Sequence, residues 1–121
     1  MKELELGLVI AKRQLELQSD GKLLFVTVLM GAPQEVIEDG NTHSFCPIQI
    51  IGIGDEKVRA AWGVDAFQAL QLGLQLIGVE LYVKLNPKVN HGIRWNGETD
   101  LSFPLPDSVK EFGPKSEQSS N

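Results

Sequence analysis

The sequence predicts an α+β domain: an antiparallel meander of about four main strands, one long helix at about residues 65–85 packed on one face, and a small C-terminal hairpin. Two observations lead to this class. Apolar residues alternate with other residues in the first half of the chain, as in strands, and recur every third or fourth position within 65–85, as in a helix. Successive strands followed by a helix are typical of α+β architecture.

The first two strands are predicted from alternation and one turn. Apolar residues occupy even positions from 4 to 10 and odd positions from 15 to 17, a change of phase that predicts a β-bulge or bend near 11–13. The turn Ser19-Asp20-Gly21 follows. Residues 23–29 are then apolar on both faces, which predicts a central strand antiparallel to the first.

The next segment is predicted as a mobile loop, because residues 31–43 contain glycine, proline and several acids. A third strand is expected at about 45–53. Proline cannot donate to a sheet ladder, so Pro47 belongs at an edge, a strand end or a bulge. A tight turn at 54–57 leads into a short fourth strand at 58–62.

The helix is bounded by Asp65, a good N-cap, and by Pro87, which disfavours continuation. Apolar side chains cover well over half of its circumference and are expected to pack on the sheet. The remaining strip is neutral and consists of Gln68, Gln71, Gln75, Gly78 and Tyr82. Amides lose less on desolvation than charges do, so Gln68, Gln71, Gln75 and Tyr82 form a candidate interface with a partner or second subunit. An ordinary solvent-exposed face is the alternative.

After the helix, Asn96-Gly97 is a favoured dipeptide for a two-residue hairpin turn. Phe103 and Phe112 are expected over the flank of the helix. The last residues are polar and offer nothing to bury, so we predict a single domain at 1–112 and a disordered tail at 113–121.

Composition argues against several classes of partner. The 121 residues include 11 Lys+Arg and 16 Asp+Glu, a net charge of −5, which disfavours binding to nucleic acid and to anionic membranes. No uninterrupted apolar run approaches the ~20 residues of a membrane span. The N-terminus lacks the apolar core of a signal peptide, and one cysteine cannot form an internal disulfide. We therefore expect a cytoplasmic protein with no nucleic-acid and no membrane partner.

Few residues suggest a metal-binding or catalytic site. His43 and Cys46 have the spacing of a metal-binding pair with His91 as a third ligand, but a structural zinc site needs four ligands. A loop histidine and a small apolar cysteine are the favoured interpretation. Cys46 as a nucleophile would need a base and a lowered pKa, and no local signature supports this. We predict no metal, no cofactor and no catalytic residue.

Two arginines and two tryptophans are candidates for a recognition surface, because these residue types dominate binding hot spots. They are Arg59, Trp62, Arg94 and Trp95. The alternative is that the tryptophans are ordinary core residues.

Five short segments follow one another in a particular order. They are 46–50 (Cys-Pro-Ile-Gln-Ile), Gly52, 63–72 (Gly-Val-Asp-Ala-Phe-Gln-Ala-Leu-Gln-Leu), Trp95-x-Gly97 and Phe103-Pro104. Over about residues 8–104 this order resembles a family of small uncharacterised bacterial proteins, a domain of unknown function. The resemblance implies a bacterial, single-domain cytoplasmic protein and brings no catalytic residues.

Three hypotheses of function follow. The first is a small non-enzymatic protein that binds another protein or a second copy of itself. An immunity-type role is one version, since negative charge steers a protein towards basic toxins. The alternative is a small-molecule-binding protein or enzyme with a site near His43, Cys46 and Arg59. The third is a structural subunit of a larger assembly.

Overall fold

The computed structural model describes residues 4–114 and shows an antiparallel sheet with one long helix against β4 and β5, which confirms the predicted α+β class. The strands are β1 (Val9–Ser19), β2 (Lys22–Gly31), β3 (Gln34–Glu38), β4 (Asn41–Ile51), β5 (Arg59–Gly63) and β6 (Ile93–Arg94). The helix begins as α1 (Ala66–Gly78) and continues as a π-helical segment (Val79–Leu85) and a 3₁₀ turn (Asn86–Lys88). A 3₁₀ segment (Asp107–Phe112) follows β6. Most of the tail predicted at 113–121 lies outside the described residues.

The first hairpin agrees with the sequence prediction. β1 and β2 pair antiparallel, and the register shifts between Val9 and Ala11, next to the predicted bend. Asp20 and Gly21 have left-handed φ angles of 52° and 76°, as a tight two-residue hairpin turn requires. β2 lies between β1 and β4, so its prediction as a central strand is confirmed.

The predicted mobile loop at 31–43 is wrong, because this segment forms β3 and the start of β4. The pairing runs from Gln34 opposite Phe45 to Glu38 opposite Asn41. Asp39-Gly40, with φ angles of 50° and 77°, closes the hairpin. Acidic residues suggested a loop here, but charged side chains are also what natural proteins place on edge strands.

β4 has different partners along its two edges. Ile48 lies opposite both Met30 of β2 and Arg59 of β5, so β2 and β5 lie on opposite edges. Ser44 lies opposite Glu35 of β3 on one edge and Gly63 of β5 on the other. β3 therefore lies on the edge away from β5, which is the same edge as β2, and the two strands follow one another along it. Pro47 lies at the interruption between those two ladders, in agreement with the predicted bulge or strand end.

The core lies between the sheet and the helix. Its fully buried large side chains include Leu15, Val26, Ile48, Ile77 and Leu81. Each contributes about 1.5–3 kcal/mol through burial, which makes this layer the main source of stability.

The long helix, Ala66–Lys88, has 23 residues and is apolar enough by length and composition to cross a membrane. Core helices of globular proteins share these properties. Here the helix packs on β4 and β5, and its last part contacts the C-terminal 3₁₀ segment.

Candidate functional site

The start of α1 is held by a reciprocal cap. The backbone N–H of Gln68 donates to Asp65 Oδ1 at 2.9 Å, and the backbone N–H of Val64 donates to Gln68 Oε1 at 2.7 Å. This arrangement satisfies two backbone donors that a helix start leaves unpaired, and it confirms Asp65 as the N-cap. It also fixes the position of Gln68 on the outer surface of the helix.

From Ala66 to Val79 the helix carries no charged residue. Its exposed surface, which we call the neutral face, consists of Phe67, Gln68, Gln71, Leu72 and Leu74, with Gln75 half-buried beside them. The apolar side chains of the helix were expected to pack on the sheet, yet Phe67 is 79% exposed. The sheet covers the side of the helix on which Gly73 lies. At about 100° per residue, Phe67 lies about 120° around the helix axis from Gly73 and therefore outside the covered side.

The C-terminal end of the predicted glutamine strip, at Gly78 and Tyr82, is not accessible to a partner protein. Tyr82 is buried, and its hydroxyl oxygen accepts a hydrogen bond from the backbone N–H of Leu101 at 2.7 Å. A Cβ atom on Gly78 would overlap the carbonyl oxygen of Pro104. The prediction that Tyr82 belongs to an exposed interface is therefore wrong, because residues 101–105 cover this part of the helix.

The helix also changes its period after Gly78. In the π-helical segment each turn holds more residues than in an α-helix, so faces extrapolated from α1 no longer apply. Glu80, Leu81 and Tyr82 are consecutive and all buried. A constant 3.6-residue period therefore does not describe the faces of the helix after Gly78, where residues 101–105 also cover Tyr82.

His43, Cys46 and Arg59 do not come together. Side chains alternate between the two faces of β4, so His43 and Cys46 point to opposite sides. The His43 ring centroid lies 5.4 Å from that of Trp62, whereas the Cys46 sulfur lies beneath Gly73 of the helix. Within residues 4–114, no three His, Cys, Asp or Glu side chains are grouped as a metal site would require.

Burial raises the pKa of the Cys46 thiol to about 11, so the thiol stays protonated near neutral pH. We expect no reaction with a thiol reagent in the native protein, since the thiolate is the reactive form and the side chain is fully buried. A colorimetric thiol assay at pH 8, with and without denaturant, measures this. Full reaction in urea is the control, and rapid reaction without urea would contradict the placement of Cys46.

Arg59 and Trp62 lie on β5, whereas Arg94 and Trp95 lie on or directly after β6. These two strands are at opposite edges of the sheet, because β5 pairs with β4 and β6 pairs with β1. Trp95 is half-buried, and the guanidinium of Arg13 lies 4.0 Å from its ring centroid and 4.6 Å from that of Phe103. Arg94 is exposed. The four predicted residues therefore do not form one recognition surface.

Arg59 is engaged by two carboxylates. It forms two bonds of 2.8 and 2.9 Å with Asp55, and its Nε lies 3.5 Å from Glu80. The hydrogen bond from Arg59 is the main reason that the pKa of Asp55 lies well below its usual range. Glu80 was not predicted from the sequence, because a glutamate in a helix normally faces solvent. The only signal was Lys84 four residues later, with which it forms an ion pair.

Comparison with known proteins adds one match. A family model described as a domain of unknown function, DUF6968, matches residues 11–105. This agrees with the resemblance seen in the sequence. No curated protein and no solved structure matches the chain.

Proposed function

The chain belongs to the DUF6968 family, a domain of unknown function, and we propose that it is a non-enzymatic protein that acts by protein–protein binding. One observation carries this proposal: the neutral face is exposed, uncharged over fourteen consecutive residues and bordered by large apolar side chains. Phe67 lies on one side of the exposed glutamines and Leu72 on the other. Contact surfaces are depleted of charge and enriched in aromatic residues at their centres.

We take a second copy of the chain as the occupant of this face. Each copy carries a net charge of −5, so two copies approach most easily across a surface without charge. A glutamine amide both donates and accepts hydrogen bonds, and can therefore pair with the same amide across a two-fold axis. Phe67 and Leu72 would then be buried in the contact, where they stabilise it.

The variant Gln68→Glu/Gln71→Glu is expected to turn a dimer into a monomer, because it places four extra negative charges across the two-fold contact. Gln68→Glu keeps an acceptor oxygen for the Val64 N–H, so the helix cap is preserved. Light scattering at several protein concentrations measures the mass. A matched control is Gln14→Glu/Gln18→Glu, which adds the same charge at exposed positions of β1.

The control variant is expected to remain dimeric at every concentration at which the wild type is dimeric. A wild type that stays monomeric up to about 1 mM would overturn the homodimer, since that concentration reveals any dissociation constant near or below 1 mM. Equal dissociation of both double variants would show that net charge, and not the neutral face, controls assembly.

A further inference from the structure

The hairpin turn that follows β6 contains an asparagine in a chemically reactive position. Asn96 is the only asparagine of the chain that precedes a glycine. Asn96 and Gly97 are both exposed, and their φ angles of 52° and 81° make them the two central residues of a tight hairpin turn. Trp95 and Glu98 close the turn with two backbone hydrogen bonds of 2.9 Å. The side-chain amide of Asn96 is therefore followed by a backbone nitrogen that no side chain shields.

An asparagine followed by glycine loses ammonia in water without an enzyme. The backbone nitrogen of Gly97 gives up its proton and forms a bond to Cγ of Asn96, while the bond from Cγ to the amide nitrogen breaks and ammonia leaves. Water then opens the resulting cyclic imide by breaking one of its two carbon–nitrogen bonds. The product is an aspartyl or an isoaspartyl residue, and no atom is oxidised or reduced.

Glu16 of β1 holds this turn from the neighbouring strand. Its Oε1 accepts a hydrogen bond from the Gly97 N–H at 3.2 Å, and its Oε2 accepts one from the Asn96 N–H at 3.4 Å. Successive N–H groups of a left-handed turn form a concave surface that suits an anion. One carboxylate thus engages the attacking nitrogen and the N–H before it, a contact that exists only in the folded chain.

This contact opposes the reaction in two ways. Removal of the Gly97 proton would place a second negative charge 3.2 Å from the Glu16 carboxylate, which is electrostatically unfavourable. Attack also requires the Gly97 nitrogen to approach Cγ of Asn96 along a suitable direction, to about 3–3.5 Å. The rotation that brings them together must break the bonds to Glu16 and those between Trp95 and Glu98.

We propose that Asn96 is a site of spontaneous deamidation and that Glu16 slows this modification in the folded protein. Either product adds a carboxylate beside Glu16, and the isoaspartyl product also lengthens the backbone of the turn by one atom. Trp95, which begins the turn, stacks on the guanidinium of Arg13 at 4.0 Å, so the change is transmitted to β1. This inference depends neither on the neutral face nor on the oligomeric state.

Incubation of the full chain at mildly alkaline pH, followed by peptide mapping with mass spectrometry, measures the conversion of Asn96. We expect Glu16→Gln to react about fivefold faster than the wild type, as the loss of a surface hydrogen bond that keeps the turn closed predicts. Glu98→Gln is the matched control, since it removes the same charge beside the same turn and leaves Glu16 in place. Isomerisation at the two Asp-Gly pairs, 20–21 and 39–40, leaves peptide mass unchanged and is not confused with deamidation.

The wild type unfolded in urea is expected to react faster than the folded wild type, because neither the turn nor the contact with Glu16 is then present. Glu16→Asp withdraws the carboxylate by one methylene group, so it should also react faster than the wild type, and it replaces Glu16→Gln if that variant does not fold. Circular dichroism of each variant shows whether the fold is kept.

Three results would overturn the proposal. The first is an Asn96 that stays unmodified in both the folded and the urea-unfolded chain. The second is a Glu16→Gln protein that reacts no faster than Glu98→Gln. The third is earlier conversion of Asn41 or Asn90, which precede threonine and histidine and have no contact with Glu16 in the described residues.

Discussion

Leu81→Ala is expected to lower the free energy of unfolding by about 4 kcal/mol, a large part of the 5–15 kcal/mol of a typical domain. Leu81 is fully buried, within the cluster that joins the helix to the sheet. Its loss removes apolar burial and leaves a cavity, and rigid strands on one side of it limit collapse. Urea unfolding followed by circular dichroism measures the change.

Leu74→Ala is the matched control, since the same atoms are removed from the same helix. Leu74 is 38% exposed, so we expect a loss of about 1 kcal/mol or less. Equal effects of the two substitutions would contradict the orientation of the helix on the sheet. A larger effect of Leu74→Ala would mean that the neutral face is already buried in an assembly, which a measurement of mass would reveal.

Gly78→Ala is expected to destabilise the protein by about 3 kcal/mol, although alanine favours a helix by about 1 kcal/mol over glycine. A Cβ atom at this position would overlap the Pro104 carbonyl oxygen, which belongs to backbone and cannot rotate away. Residues 101–105 would have to move, and the buried bond from Leu101 N–H to Tyr82 would lengthen or break. Urea unfolding of the variant gives the free-energy change.

Gly73→Ala provides the comparison within the same helix. Its Cβ would meet Cys46 Sγ at 3.0 Å and Met30 Cε at 3.2 Å, which are side-chain atoms that can shift slightly. We therefore expect a smaller loss than for Gly78→Ala. A Gly78→Ala protein more stable than the wild type would show that the C-terminal segment does not lie on the helix.

Several features were predictable because they depend on neighbouring residues. Asp65 starts the helix by accepting a bond from a residue three positions later. Asn96-Gly97 adopts the left-handed φ angles of 52° and 81° that a tight hairpin turn needs. The phase change in β1 marks its irregular register. Each of these preferences acts within a few residues, so the sequence alone contains it.

The candidate site was predicted in part. The uncharged stretch of α1 is a property of the sequence, and Gln68 and Gln71 are exposed as expected. Phe67 could not be placed, because its exposure depends on how far the sheet extends around the helix. Glu80 could not be found either, since its partner Arg59 comes from β5. No local pattern distinguishes a glutamate that faces a sheet-lined cleft from one that faces water.

The sequence by itself determined the α+β class, the start of the helix, the turns at 19–21 and 96–97, and the neutral surface of α1. Tertiary structure decided which surfaces are covered, since residues 101–105 bury Tyr82. It also decided that β3 pairs with β4 where a loop was expected. Finally, it placed His43 and Cys46 on opposite faces of β4. The physical reason is the range of the interactions. Capping, turn geometry and periodicity act between neighbours in the chain, whereas burial depends on segments that only folding brings into contact.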